Sequence, residues 1–292
     1  MFWLHSFFIH YAESAYRRID RFCLKTYCWP DNIMKICPLC KNSVESFHPR
    51  SHTLPEWMYK EIYDESHKIN QVSRIDQAVI KKQKGHHASY ICSACEEKTQ
   101  KLDHYASLIL TDRSPQSPEK LSIQKKITRV YDGEEKIEFE EWSGVDFIKF
   151  QGFVFSVILR CNFAGMIQGA IKLTEKHLNR IIELYNNNEF ANDYSYPIIL
   201  RKFNNPDKSK DLVVMPYFMK DSGHHVITFA GGGYCFNIYI SSHLKPDFVD
   251  SLCLKSNGRI HVVMESMKKT EMYRRFAETM HLINSKKGQQ NN

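Results

Sequence analysis

The sequence predicts an α+β protein in two parts: a small cysteine-clamped module followed by a larger α+β domain built on an antiparallel sheet. Three observations carry this reading. Two Cys-x-x-Cys knuckles, Cys37/Cys40 and Cys92/Cys95, stand 51 residues apart, and four such thiolates can meet at one tetrahedral zinc ion. In the second half the strand-like runs YPIILRKF, DLVVMPYFM, HHVITFA, YCFNIYIS and RIHVVME follow closely, with KDSG and GGG at turns, the pattern of short antiparallel connections. Ahead of them lie a strongly apolar helical stretch, Val145 to about Cys161, and a charged one, Thr174 to Asn187, whose Ile181, Ile182, Leu184 and Tyr185 share an inner face.

The bulk numbers narrow the class. A chain of 292 residues that is 42% apolar can bury a substantial core in one large or two ordinary domains. Its 40 basic residues against 33 acidic ones, net +7, favour a polyanionic partner, and nucleic acid is the expected one. Nine cysteines, four of them in knuckles, suit a reducing cytoplasm and a metal site better than a disulfide framework. The N-terminal MFWLHSFFIHYA has no basic start and is broken by His5, Ser6 and His10. It is too short and too polar to span a bilayer or to serve as a signal peptide, so no membrane association is expected.

Residues 1–33 are expected to form a helical extension, with Phe7, Phe8, Tyr11, Ala15, Ile19 and Phe22 near helical spacing, for packing on the fold or for a protein partner. Residues 34–112 form the clamped module. Within it, PEWMYKEIYDESH reads as a helix entered through Pro55, residues 69–86 as a polar, solvated connection, and Ala88 to Ile91 as a strand leading into the second knuckle. Cys95 then opens a helix to about Leu110, and TDRSPQSPEK marks a break. Residues 121–292 form the larger domain, the candidate for substrate, partner or regulatory contacts. It starts with a hairpin turning at Asp132-Gly133 and ends with a basic helix, Lys268 to about Lys287. Gly231-Gly232-Gly233 lacks the lysine and helix start of a phosphate loop and is expected to be a hairpin turn.

A closed four-cysteine zinc site has no open coordination position, so it holds structure and leaves chemistry to its neighbours. Those neighbours are Ser51-His52-Thr53-Leu54-Pro55 and Cys92-Ser93-Ala94-Cys95-Glu96. In this order the knuckles, the histidine followed by an apolar-Pro segment, and the acidic residue after the fourth cysteine resemble the His-Asn-His (HNH) endonucleases of the ββα-metal class. The resemblance covers residues 37–105. It implies an HNH-like fold for the module and metal-dependent cleavage of phosphodiester bonds, with DNA the favoured substrate and restriction or antiphage defence a compatible setting. His52 would be the general base, with an ordinary pKa suited to neutral pH. Glu96, where the family more often has Asn or His, would be the ligand of a catalytic Mg²⁺ or Mn²⁺, hard cations that prefer oxygen donors. Ser51 stands where the family has Asp, Glu or His. Asp103 and His104, on the following helix with Glu96 and Gln100, are further candidate ligands. The alternative is an HNH-like zinc module that kept the fold, lost the reaction and binds nucleic acid or protein.

Arg50, Lys81, Lys82, Lys84, Lys98 and Lys101 surround the motif and are the expected phosphate contacts, joined by the basic residues of the C-terminal helix. Contacts of that kind position a backbone and carry no base readout. His86-His87 is expected in solvent or at phosphate. His224-His225 opens a strand, where neighbours face opposite ways, and is expected to be structural.

Overall fold

The computed structural model describes residues 34–73, 78–83, 85–111, 121–132, 135–164, 171–187, 195–204, 212–241 and 243–290. The expected N-terminal helix, Lys84, Gly133 and most of the break after Leu110 lie outside these residues.

A seven-stranded sheet dominates an α+β fold, in the order β10-β11-β12-β9-β13-β8-β7. Its strands are β7 (Gln124–Asp132), β8 (Glu135–Ser143), β9 (Ile198–Phe203), β10 (Val214–Asp221), β11 (His224–Gly231), β12 (Tyr234–Tyr239) and β13 (Ile260–Glu265). The expected hairpins form, and the turns after β10 and β11 use the residues the sequence offered. Ser222 and Gly223 have φ of 49° and 81°, Gly232 and Gly233 of 63° and 86°, as tight hairpin connections require. One pair departs from the antiparallel expectation: β13 runs parallel to β9. Between β9 and β13 the chain passes through three strands and the helix Asp247–Leu252, a connection long enough for parallel pairing.

Both faces of the sheet are covered, which explains why YCFNIY is buried at every position instead of alternating. On one face lies α3 (Phe147–Phe163), capped by Asp146 Oδ1 accepting from Lys149 N at 3.0 Å. Its Phe150 and Phe153 rings stand 6.4 and 5.9 Å from Phe236, which stacks on Phe229 at 4.5 Å. On the other face, α5 (Asp247–Leu252) covers Ile199, Val226 and Tyr239 through Val249, while α6 (Glu271–Gln290) and the short turn before it cover Phe203, Ala230 and Cys235 through Met267 and Met272. Each large apolar side chain so buried contributes about 2 kcal/mol.

The N-terminal part packs onto α3. It comprises β1 (Lys35–Ile36), β2 (Ser43–Val44), β3 (Ser51–His52), α1 (Glu56–Tyr59), β4 (Lys68–Ser73), β5 (Ala78–Gln83), β6 (His87–Ala88) and α2 (Ser93–Leu110). α4 (Glu175–Asn187) flanks it and buries the four residues expected to face inward. One core runs from Leu39, Leu54 and Met58 through Phe153 to Phe236, so the two parts expected from the sequence share their interior. The β11–β12 turn meets α1 closely. A Cβ on Gly231 would stand 2.9 Å from Met58, and one on Gly232 2.8 Å from the Trp57 ring, so the glycines serve docking as well as turning.

Three local expectations are corrected. Residues 69–86 were expected as a polar, solvated connection; the described ones instead hold a hairpin, β4 pairing antiparallel with β5 and Val72 opposite Val79, with Ile69 buried in the core while all of β5 but its first residue is exposed as expected. The β-branched residues of this segment prevail over its overall polarity. The helix after Pro55 spans only Glu56–Tyr59, with a 3-10 turn at Lys60–Ile62. It stops because Asp64 Oδ1 accepts from Ser66 N at 3.0 Å and Lys68 N at 2.9 Å, an Asx-type turn that competes with helix. The strand before the second knuckle is only His87–Ala88. No helix among the described residues is long and apolar enough to cross a membrane.

Candidate metal centre and adjoining cleft

The first knuckle sits on the β1–β2 turn, closed by Cys37 N donating to Asn42 O at 2.9 Å and Lys41 N to Cys37 O at 2.8 Å, with Lys41 at φ 64°. The second opens α2, Cys92 at its N-cap and Cys95 in its first turn, where the helix dipole favours negative charge. The four sulfurs all lie within 4.8 Å of one another. Cys37–Cys95 and Cys40–Cys92 are each 3.8 Å apart, far beyond a disulfide and equal to the edge of about 3.8 Å that a tetrahedron with Zn–S bonds of about 2.3 Å requires. Burial pushes the Cys37 thiol up, but backbone donors from Cys40, Cys92 and Leu39 outweigh it and bring the group down to about 7. Burial, then the neighbouring sulfurs, push Cys95 far up, and burial also raises Cys40. Such a set resists full ionisation until a cation compensates it. The four cysteines can therefore hold a metal such as zinc.

Beside this node, β3 pairs antiparallel with β6, His52 opposite His87, and the chain then enters α2. The His52 carbonyl is held from two sides, by Tyr90 Oη at 3.0 Å and Arg160 Nη1 at 3.2 Å. Its ring lines a cleft of about 280 Å³ together with Glu56, Trp57, Glu96, Gln100, Asp103 and His104. Burial depresses the imidazole below its ordinary value, with Glu56 opposing, so the neutral form is favoured at neutral pH. Glu96 is only 4% exposed. Gln100 Nε2 donates to its Oε1 at 3.3 Å, and its buried Oε2 has no partner. An unpartnered carboxylate oxygen in a cleft calls for a cation or a donor from outside.

The other expected ligands are placed differently. Ser51 is fully buried with its hydroxyl unpartnered and is not on the cleft wall, because strand neighbours point to opposite faces. Asp103 lines the cleft, but its carboxylate takes a two-pronged bond from Arg160, at 2.9 and 2.8 Å. Burial raises Asp103 while the guanidinium pulls it back. We read the pair as ionised, since Arg160 is itself only 1% exposed and a buried cation requires its counter-charge. His104 is exposed on the cleft rim. Among the described residues, the four cysteines are the one group of three or more Cys, His, Asp or Glu with ligand atoms this close. His52, Glu96, Asp103 and His104 thus share a cleft without forming a closed ligand set.

The expected phosphate contacts divide. Arg50 and Lys82 are exposed. Lys81 pairs with Asp64 at 2.7 Å and Lys101 with Glu97 at 2.8 Å. Lys98 turns inward, its Nζ donating to Tyr185 O at 2.6 Å and lying 4.3 Å from that ring. Burial lowers its pKa. On the C-terminal helix Arg274 is taken by Glu271 and Glu278, and Arg275 by Glu271. His224 is buried and His225 exposed, as strand alternation requires. His87 is exposed and His86 half-buried.

Sequence reasoning missed Glu56, Tyr63 and Arg160. Glu56 lies four residues beyond His52, a spacing present in the sequence that was not singled out. Arg160 carries no local signal beyond being a charge within an apolar helix. Comparison with protein-family models, with curated proteins and with solved structures returns no match for this chain.

Proposed function

We propose that this chain is a metal-dependent endonuclease of the HNH kind, acting on nucleic acid and by preference on DNA, with zinc in the four-cysteine node as its structural ion. One observation carries the reading: beside the node, on a strand–strand–helix segment, one cleft is lined by the neutral-leaning His52 ring and by Glu96, whose buried Oε2 is unpartnered. His52 takes a proton from the attacking water as its oxygen bonds to phosphorus and the P–O bond to the leaving alkoxide breaks. Glu96 would hold Mg²⁺ or Mn²⁺, hard ions suited to a carboxylate, which supply charge stabilisation at the phosphate. The node keeps the start of α2, and hence Glu96 next to Cys95, in place. Arg50 and Lys82, both exposed, would meet backbone phosphates.

The test is plasmid incubated with Mg²⁺ or Mn²⁺. Wild type should nick and linearise it, and His52→Ala and Glu96→Gln should each lower the rate by about 100-fold. Full-rate nicking by His52→Ala would remove the histidine as base. A second reading, a zinc-stabilised binding module without chemistry, is favoured by the commitment of Asp103 to Arg160 and by the buried Ser51 hydroxyl. It predicts an inert wild type that still retards DNA in a gel.

A further inference from the structure

One nitrogen of His52 is already engaged. Its Nε2 lies 3.3 Å from Glu56 Oε2 at the start of α1. The other oxygen of that carboxylate, Oε1, accepts from the Tyr63 hydroxyl at 2.7 Å, and the Tyr63 oxygen accepts from Gly85 N at 3.0 Å. The far end of this chain is firmly seated. A Cβ on Gly85 would stand 2.6 Å from the ring of Tyr59, which is buried in the core, so only glycine brings the amide this close. Tyr63 is also braced edge-on by His67 at 5.3 Å.

Glu56 itself is 54% exposed, and an isolated ion pair at such a position contributes little. Its orientation, unlike that of an isolated pair, is set from behind by Tyr63. Burial and the adjacent Glu56 push the Tyr63 phenol up to about 12, so it remains a donor at neutral pH. A carboxylate held against one imidazole nitrogen selects the tautomer, fixes the ring plane and stabilises the imidazolium formed on proton transfer.

We propose that Glu56 is the positioning residue of His52: it accepts the Nε2 proton, Tyr63 and Gly85 hold it in place, and Nδ1 is left to receive the proton of the reacting water. The catalytic consequence rests on the nuclease reading; the chain of contacts from Gly85 to His52 does not. The experiment uses the metal-loaded full chain with ¹⁵N-labelled histidine, His52→Gln identifying the resonance. Wild-type His52 should be the Nε2–H tautomer with its proton shifted downfield. Glu56→Ala should move that proton upfield, and Tyr63→Phe should move it in the same direction by less. In plasmid nicking, Glu56→Ala should lower kcat by about tenfold with KM changed less than about twofold. An Nδ1–H tautomer in wild type, or an Nε2 proton indifferent to Glu56→Ala, overturns the proposal. A wild type that shows the expected tautomer and shifts but cleaves nothing removes the nuclease reading and leaves the chain from Gly85 to His52 supported.

Discussion

The cysteine node and the cleft beside it share α2, yet they are assembled by opposite means. At the node, two short turns bring four like ligands within 4.8 Å, and each turn is closed by its own backbone bonds. In the cleft, three elements contribute unlike groups, His52 from β3, Glu56 from α1, and Glu96 and Asp103 from α2, and a fourth, α3, supplies Arg160 to bind Asp103. One carboxylate is committed to an arginine and another has an unpartnered oxygen. A site whose ligand spacing is local can be read from spacing. A site assembled by packing has its available groups decided by whatever each packs against.

The strongest way to break this contrast is to remove the node. Structural zinc contributes about 10 kcal/mol in small domains. Chelation or Cys92→Ser should therefore lower the melting midpoint of the whole chain, because Cys37, Cys92 and Cys95 belong to the core that continues to the sheet. A chelated protein with an unchanged midpoint and far-ultraviolet dichroism would show the node to be dispensable. The next largest effect concerns the cleft. Arg160→Met leaves Asp103 facing a buried void of charge and should cost about 3–5 kcal/mol in urea unfolding, with Asp103→Leu added to it restoring part of the loss. A cost below about 1 kcal/mol would mean that the pair does not organise the cleft.

The smallest effect is expected outside both regions and serves as their control. Arg274 and then Arg275 hold the Glu271 carboxyl down to about 2, from an ordinary 4.5. A depressed carboxylate stabilises the fold above its unfolded pKa and loses that contribution as pH falls through its folded value. The contribution of Glu271 is thus present above 4.5 and lost toward about 2. Because the partners are exposed and screened, it should amount to about 0.5 kcal/mol at low salt. Glu271→Gln should remove that difference between urea midpoints at about pH 5 and about pH 2; an unaltered difference would exclude it.

Much of the fold was legible in particular residues. The glycines at 223, 232 and 233 announced hairpin turns because left-handed backbone is cheap only for them, and the apolar run from Val145 announced a helix that is indeed buried almost all round. The β4–β5 hairpin was not legible, since Lys81, Lys82 and Gln83 masked its β-branched residues. The pairing of Glu56 with His52 was not legible because it depends on how the chain turns from β3 into α1, and Arg160 was hidden by its distance of 57 residues from Asp103. The inward turn of Lys98 toward Tyr185 could not be foreseen either, because it depends on where α4 docks.

By itself the sequence determined the four-cysteine knuckles, the order of strands and helices in the second half, and the segment carrying His52 and Glu96, because each of these follows from interactions a few residues apart. The tertiary structure alone decided that Ser51 faces inward, that Asp103 is neutralised, that Glu96 keeps an unpartnered oxygen and that β13 joins β9 in parallel. Those outcomes depend on which desolvated charge meets which partner when the module closes onto α3, and the chain supplies such partners only once it is packed.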